Sequence, residues 1–129
     1  MGGTNNTQAT SNIKPQEVWL AKFPFEDDLS VKKLRPVIVL TQTDNGLTVA
    51  GVIEESYLSV KVTGHGVRDD YDSIIVKWKE ANLNKESVAR ASKTMELPRS
   101  EFVKKLGVAD ETDFHNILVK YISFIEANE

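Results

Sequence analysis

The stretch "KKLRPVIVL", Lys32 to Leu40, sets three basic residues and a proline against an unbroken hydrophobic run. From Pro36 to Leu40 there is no polar break, the pattern of a strand covered on both faces. Proline is tolerated as the first residue of such a strand, because no ladder donor is lost there. The stretch therefore predicts a central buried strand with a guanidinium, Arg35, at its mouth. From the residues alone two readings of Arg35 stand. It is an edge charge answering the acidic cluster 26–28, or it is the working end of a site.

Working outward, "EVWLAKF" (17–23) reads as a strand with two partly apolar sides, and "PFEDDLSVKKL" as a loop, acidic at its start and basic at its end. "DNG" (44–46) is a hairpin signal, since Asn and Gly tolerate positive φ. It predicts a return strand over 47–53 and, after a turn at "EES", a further strand over 57–63. That last strand alternates: Leu58, Val60 and Val62 toward a core, Ser59, Lys61 and Thr63 the other way. Strands are expected at 72–77 and 87–97, one helical turn at 78–83, and a short helix at 98–107 ended by Gly107. Phe114, Ile117, Leu118, Tyr121, Ile122 and Ile125 recur at helical spacing, so 112–127 is read as an amphipathic helix capped by Asp110 or Thr112. Strands first and helices mostly after them indicate an α+β chain, mainly β: a small, half-open, SH3-like antiparallel barrel with short helices and a C-terminal helix. Residues 1–14, polar and rich in Gly, Asn and Thr, are expected to be disordered, with a single domain over 15–129.

Composition narrows the chemistry. The absence of cysteine excludes disulfides, zinc–thiolate sites and thiol nucleophiles. No segment approaches the length of a membrane span, and a cytoplasmic location is expected. The formal charge of −3 gives no global footprint for nucleic acid, so any such interface must be local. His65 and His115 lie far apart, no metal-ligand spacing is present, and no metal or cofactor is expected. What remains is a basic and hydroxyl set at strand ends. Arg35 and Thr63 are the candidate catalytic pair, and Lys33, Lys61, His65, Arg68, Arg90 and Lys93 are candidate RNA contacts. Such groups suit phosphate, and a guanidinium with a nearby hydroxyl can steady the phosphorane formed when a 2′-OH attacks.

"EVWLAKFPFEDD…KKLRPVIVL" resembles the opening of the MazF/PemK toxin family: an acid-Val-Trp strand, a loop, then Arg-Pro and a hydrophobic strand. "LSVKVT", "YDSIIVKWKEANLNKESVARASKTMELP" and "FVKKLG" before a terminal helix follow in family order, covering about residues 16–127. The resemblance implies a plasmid-maintenance-toxin barrel, commonly a homodimer, that cuts single-stranded RNA without metal and leaves a 2′,3′-cyclic phosphate. On that pattern Arg35 would serve proton transfer and phosphate stabilisation, and Thr63 would hold the scissile phosphate. An antitoxin protein with an acidic C-terminal tail would fill the RNA groove. The chain departs from the pattern at Gln16, where the family has glycine, at Met95, and in the length of the 41–57 connection. A second register would put Glu54 at the threonine position; the clean alternation of 57–63 favours Thr63. Two other functions stand beside the nuclease. One is a toxin-like barrel that binds a protein such as gyrase. The other is a catalytically silent module that binds DNA or RNA.

Overall fold

The computed structural model describes residues 12–129. Six strands form one antiparallel sheet: β1 (Glu17–Pro24), β2 (Lys32–Val49), β3 (Val52–Thr63), β4 (Asp72–Ile75), β5 (Ser87–Pro98) and β6 (Phe102–Val108). A helix, α1 (Glu111–Ala127), closes the chain. The strand order is β4-β5-β3-β2-β1-β6, with β4 and β6 as the two edges, so the sheet is half open as expected. No helix among the described residues is long and apolar enough to cross a membrane.

The curl of this sheet follows from one short connection. β5 and β6 are joined by a single 3₁₀ turn, Arg99–Glu101, yet lie four strand-to-strand steps apart in the sheet. Flat, those steps would span roughly 19 Å at about 4.8 Å each. Four residues reach at most about 14 Å fully extended, and far less in a 3₁₀ turn. The sheet must therefore bend until the two strands approach, and its concave face becomes an interior. Trp19, Ala21, Phe23, Val37, Val39, Tyr57, Leu97 and Phe102 fill it. Phe102 meets Trp19 and Tyr57 edge-to-face, at centroid distances of 5.8 and 5.5 Å.

The opposite face buries Val18, Ile38, Leu40, Val60, Val62 and Ala89 under Ile117, Phe114 and Leu118 of α1 and under Trp78 and Leu83. The buried run of β2 thus serves two cores by alternation, Val37 and Val39 one way, Ile38 and Leu40 the other. Ser59, expected to point to solvent, is fully buried for the same reason. Two devices fix the helical cover. Asp110 caps α1 by accepting from the N–H groups of Thr112 and Asp113. Buried Asp113 accepts from the N–H groups of Val76 and Lys77 at 3.1 and 2.9 Å. The expected helical turn at 78–83 is present and ends in a Schellman motif. There Leu83 N–H reaches Trp78 O, Asn82 N–H reaches Lys79 O, and Asn82 sits at φ 63.

Three expectations change. The reversal is not at "DNG": Thr43 pairs with Ser56 and Leu47 with Glu54, so 44–46 form a bulge inside one long ribbon. The turn falls at Ala50–Gly51, both at positive φ (50 and 81), as a primed hairpin turn demands. Gly46 is still required, because a Cβ there would lie 2.4 Å from the Glu54 carbonyl oxygen. "EES" accordingly belongs to β3. The expected helix over 98–107 is instead the 3₁₀ turn followed by β6, because β1 offers an unpaired edge and Phe102 a buried anchor. Residues 1–11 of the expected disordered segment lie outside the described residues, whereas Ile13 is buried in the concave core.

Replacing Asp113 with alanine should remove the carboxylate from two part-buried backbone donors and lower stability by about 1–3 kcal/mol. Chemical denaturation checks this, and an unchanged midpoint would show that the 76–84 segment does not depend on Asp113.

Candidate nucleic-acid interface

The concave core is apolar at one end and cationic at the other. Along β2, Val39 and Val37 give way on the same face to Arg35 and Lys33. Along β3, Tyr57 and Ser59 give way to Lys61 and Thr63. Val37 pairs with Lys61, the last pair of the β2–β3 ladder at this end, and beyond it Arg35 pairs with Ala21 of β1 and Thr63 with Val88 of β5. The two strands bring Arg35 and Lys61 into one pocket, whereas Thr63 is not among the residues that line it.

Arg35, Lys61 and Lys93 line a pocket of about 260 Å³ with Phe23, Phe25, Glu26 and Asp27. Arg35 and Lys61 are half-buried, and neither makes a side-chain hydrogen bond or ion pair among the described residues. Burial lowers the pKa of Arg35. Lys61 is lowered chiefly by burial, then by the charges of Arg35 and Arg90, with Glu26 opposing. Two desolvated like charges with no bonded counter-ion are unfavourable until an anion arrives. The acidic loop does not neutralise Arg35, contrary to the edge-charge reading. Glu26 instead accepts from Lys93 Nζ at 2.6 Å, and Asp28 accepts from the backbone and hydroxyl of Ser30.

The other candidates separate. Arg90 is structural, its guanidinium lying 3.4 Å from buried Asp72 Oδ2 and 4.0 Å from Asp69 Oδ2. Asp72 Oδ2 also accepts from Arg68 N–H at 2.7 Å, so Arg90 clamps the 64–72 loop against β5. Arg68 and His65 are exposed in that loop, beyond Thr63. Lys33 is exposed, opposite Phe23. Thr63 is buried and accepts from His65 N–H at 3.3 Å, while its own proton goes to no partner among the described residues. It faces a neighbouring hollow of about 340 Å³ lined also by Asn84, Lys85 and Ser87. Glu54 lies at the far end of the ribbon, opposite Leu47, and accepts from Ser100 N–H at 2.8 Å. That contact anchors the 3₁₀ turn and leaves Glu54 remote from Arg35.

Sequence reasoning missed Phe25 and Lys85. Lys85 crosses directly over Gly64, where a Cβ would sit 2.2 Å from its Cε. Only the chain's return through the 78–83 turn brings it there, and no local pattern signals that.

No family model matches the sequence, and no curated protein matches it. Solved structures do match. MazF of Deinococcus radiodurans superposes with a TM-score of 0.65 at 14% identity, over 88% of this chain and 96% of that one. A mycobacterial endoribonuclease, solved in complex with its cognate antitoxin, gives 0.64 at 9% identity over 89% and 96%. The Mycobacterium tuberculosis toxin MazF-mt6 gives 0.60 at 16% identity over 85% and 96%. The chain has the MazF toxin fold.

The lowered Lys61 pKa carries a sign. Between its folded value and 10.5 the unfolded chain holds more protons than the folded one, so stability rises with pH across that window. Lys61→Met should abolish this alkaline gain and be the more stable chain near neutrality. Denaturation of both proteins between about pH 8 and 10.5 measures the difference.

Proposed function

We propose that the chain is an endoribonuclease toxin of a toxin–antitoxin pair, cutting single-stranded RNA at short sequence motifs without a metal ion. The observation that supports it best is the half-buried, unpaired Arg35–Lys61 couple that lines one pocket. Two desolvated cations lacking bonded counter-ions are relieved by an anionic ligand, and a phosphodiester supplies that charge at the atoms where it builds up during cleavage.

The chemistry is internal transesterification. The 2′ oxygen bonds to phosphorus, the bond to the 5′ oxygen breaks, and the proton lost at the 2′ position is balanced by one gained at the leaving oxygen. A 2′,3′-cyclic phosphate and a 5′-hydroxyl result. Arg35 and Lys61 neutralise the charge that builds on the non-bridging oxygens, and that help is larger in a desolvated pocket than in water. The Thr63 hydroxyl donates to a phosphate oxygen and fixes the phosphate. The Arg35 guanidinium can also donate a hydrogen bond to the leaving oxygen as charge develops there. Lys33, Lys85, His65 and Arg68 lie where they can follow the backbone on either side.

The mycobacterial endoribonuclease was solved with its antitoxin, and a cognate antitoxin with an acidic segment is the partner we assign to this groove. We further assign a homodimer in the cytoplasm. Ile74, Val76 and Val119 surround one exposed hollow at the free β4 edge, with Ile122 a turn further on, and a second copy would cover them.

Incubation with a long single-stranded RNA, followed by primer extension, should reveal discrete cuts that persist in EDTA. Arg35→Ala should reduce cleavage by at least about 10²-fold without lowering the melt, and Thr63→Ala by about tenfold. Full activity of Arg35→Ala would remove the nuclease assignment. A severe Glu54→Ala defect beside an active Thr63→Ala would show that the site follows the other register.

A further inference from the structure

The loop between β1 and β2 crosses the mouth of the cationic pocket as an ordered strap. Phe25 N–H donates to Val31 O at 2.9 Å and Val31 N–H to Asp28 O at 3.0 Å, closing the strap on itself. Its ends are fixed by Pro24 in β1 and by the Lys32–Glu101 ion pair. From this strap Glu26 reaches Lys93, 67 residues away, at 2.6 Å, and its charge is also felt by Lys61 and Arg90. Glu26, Asp27, Arg35, Lys61 and Lys93 line the same pocket.

We propose that Glu26 is a built-in competitor for the anion site: its carboxylate occupies Lys93 and screens Lys61 until a polyanionic strand displaces it. This rests on the pocket being an anion groove, and adds that the groove is partly self-occupied. The Glu26 side chain is 65% exposed and that of Lys93 is 32% exposed, so the pair is one that solvent can open. An exposed pair of this kind imposes a factor of about two to five on apparent affinity, because binding requires the opened fraction. The strap thereby raises the threshold for weakly held anions without closing the site to a long strand that makes many phosphate contacts. It also gives Lys93 two partners in turn, first Glu26 and then phosphate.

The test measures binding by the full chain at low salt, using two probes: tripolyphosphate, and a non-cleavable single-stranded oligodeoxynucleotide. Glu26→Gln should tighten both by about two- to fivefold. Asp27→Asn, the same charge change on the same strap without the Lys93 contact, should do less. The Glu26→Gln gain should shrink in a Lys93→Met background and at high salt. A gain for tripolyphosphate alone would keep the self-occupied groove and remove the nucleic-acid reading. Equal gains from Glu26→Gln and Asp27→Asn would reduce the effect to net charge and overturn the proposal. So would unchanged or weaker binding by Glu26→Gln. If neither probe binds any variant, both the groove and its competitor fall together.

Discussion

A single 3₁₀ turn between β5 and β6 governs this molecule. Its two strands are separated by three others in the sheet, so the link can close only if the sheet curls. Curling creates an interior on the concave side, and an interior must be filled or wetted. Trp19, Tyr57 and Phe102 fill one end with edge-to-face contacts. At the other end the two central strands carry Arg35 and Lys61, and the interior opens as a charged mouth. Glu54 holds the turn itself by accepting from Ser100 N–H, so an acid at the far end of the β2–β3 ribbon helps set the curvature that shapes the site.

The disposition of charge follows from this geometry. Cations at the mouth divide by whether an acid can reach them. Arg90 meets Asp69 and Asp72, and Lys93 meets Glu26. Arg35 and Lys61 project from adjacent strands whose other near neighbours are core residues, and no carboxylate in the described chain bonds to either. Holding two desolvated cations side by side costs stability. A fold that retains them stores that cost as affinity for an anion, which relieves it on arrival.

Much of the sheet was legible because strands announce themselves locally. The continuous run at 36–40 signals cover on both faces, and 57–63 shows its alternation, although the second core made Ser59 buried where alternation alone predicts exposure. The terminal helix and its Asp110 cap were equally plain. What escaped was set by distant partners. Asn45–Gly46 has hairpin chemistry but sits in a bulge, since the register of β2 on β3 is fixed by pairings on both sides of it. Phe102–Val108 has no strong strand pattern, and becomes a strand because β1 needs a neighbour. Arg35 at the pocket was marked by its own motif, while Lys93 and Lys85 come beside it or near it through long-range returns that no spacing encodes.

Fold likeness at 9–17% identity establishes the scaffold and leaves the activity to the side chains it carries. On this scaffold the division of labour is physical. The unpaired cations stand on β2 and β3, the two innermost strands of the sheet, with Lys61 paired on both sides and Arg35 paired to Ala21 of β1. The neutralised Lys93 is matched by an acid on an exposed strap, where the partner can leave at small cost. On the proposed reading, rigidity is placed under the groups that would meet a transition state, whose geometry tolerates little error. Freedom is placed under the group that must yield before a strand can enter.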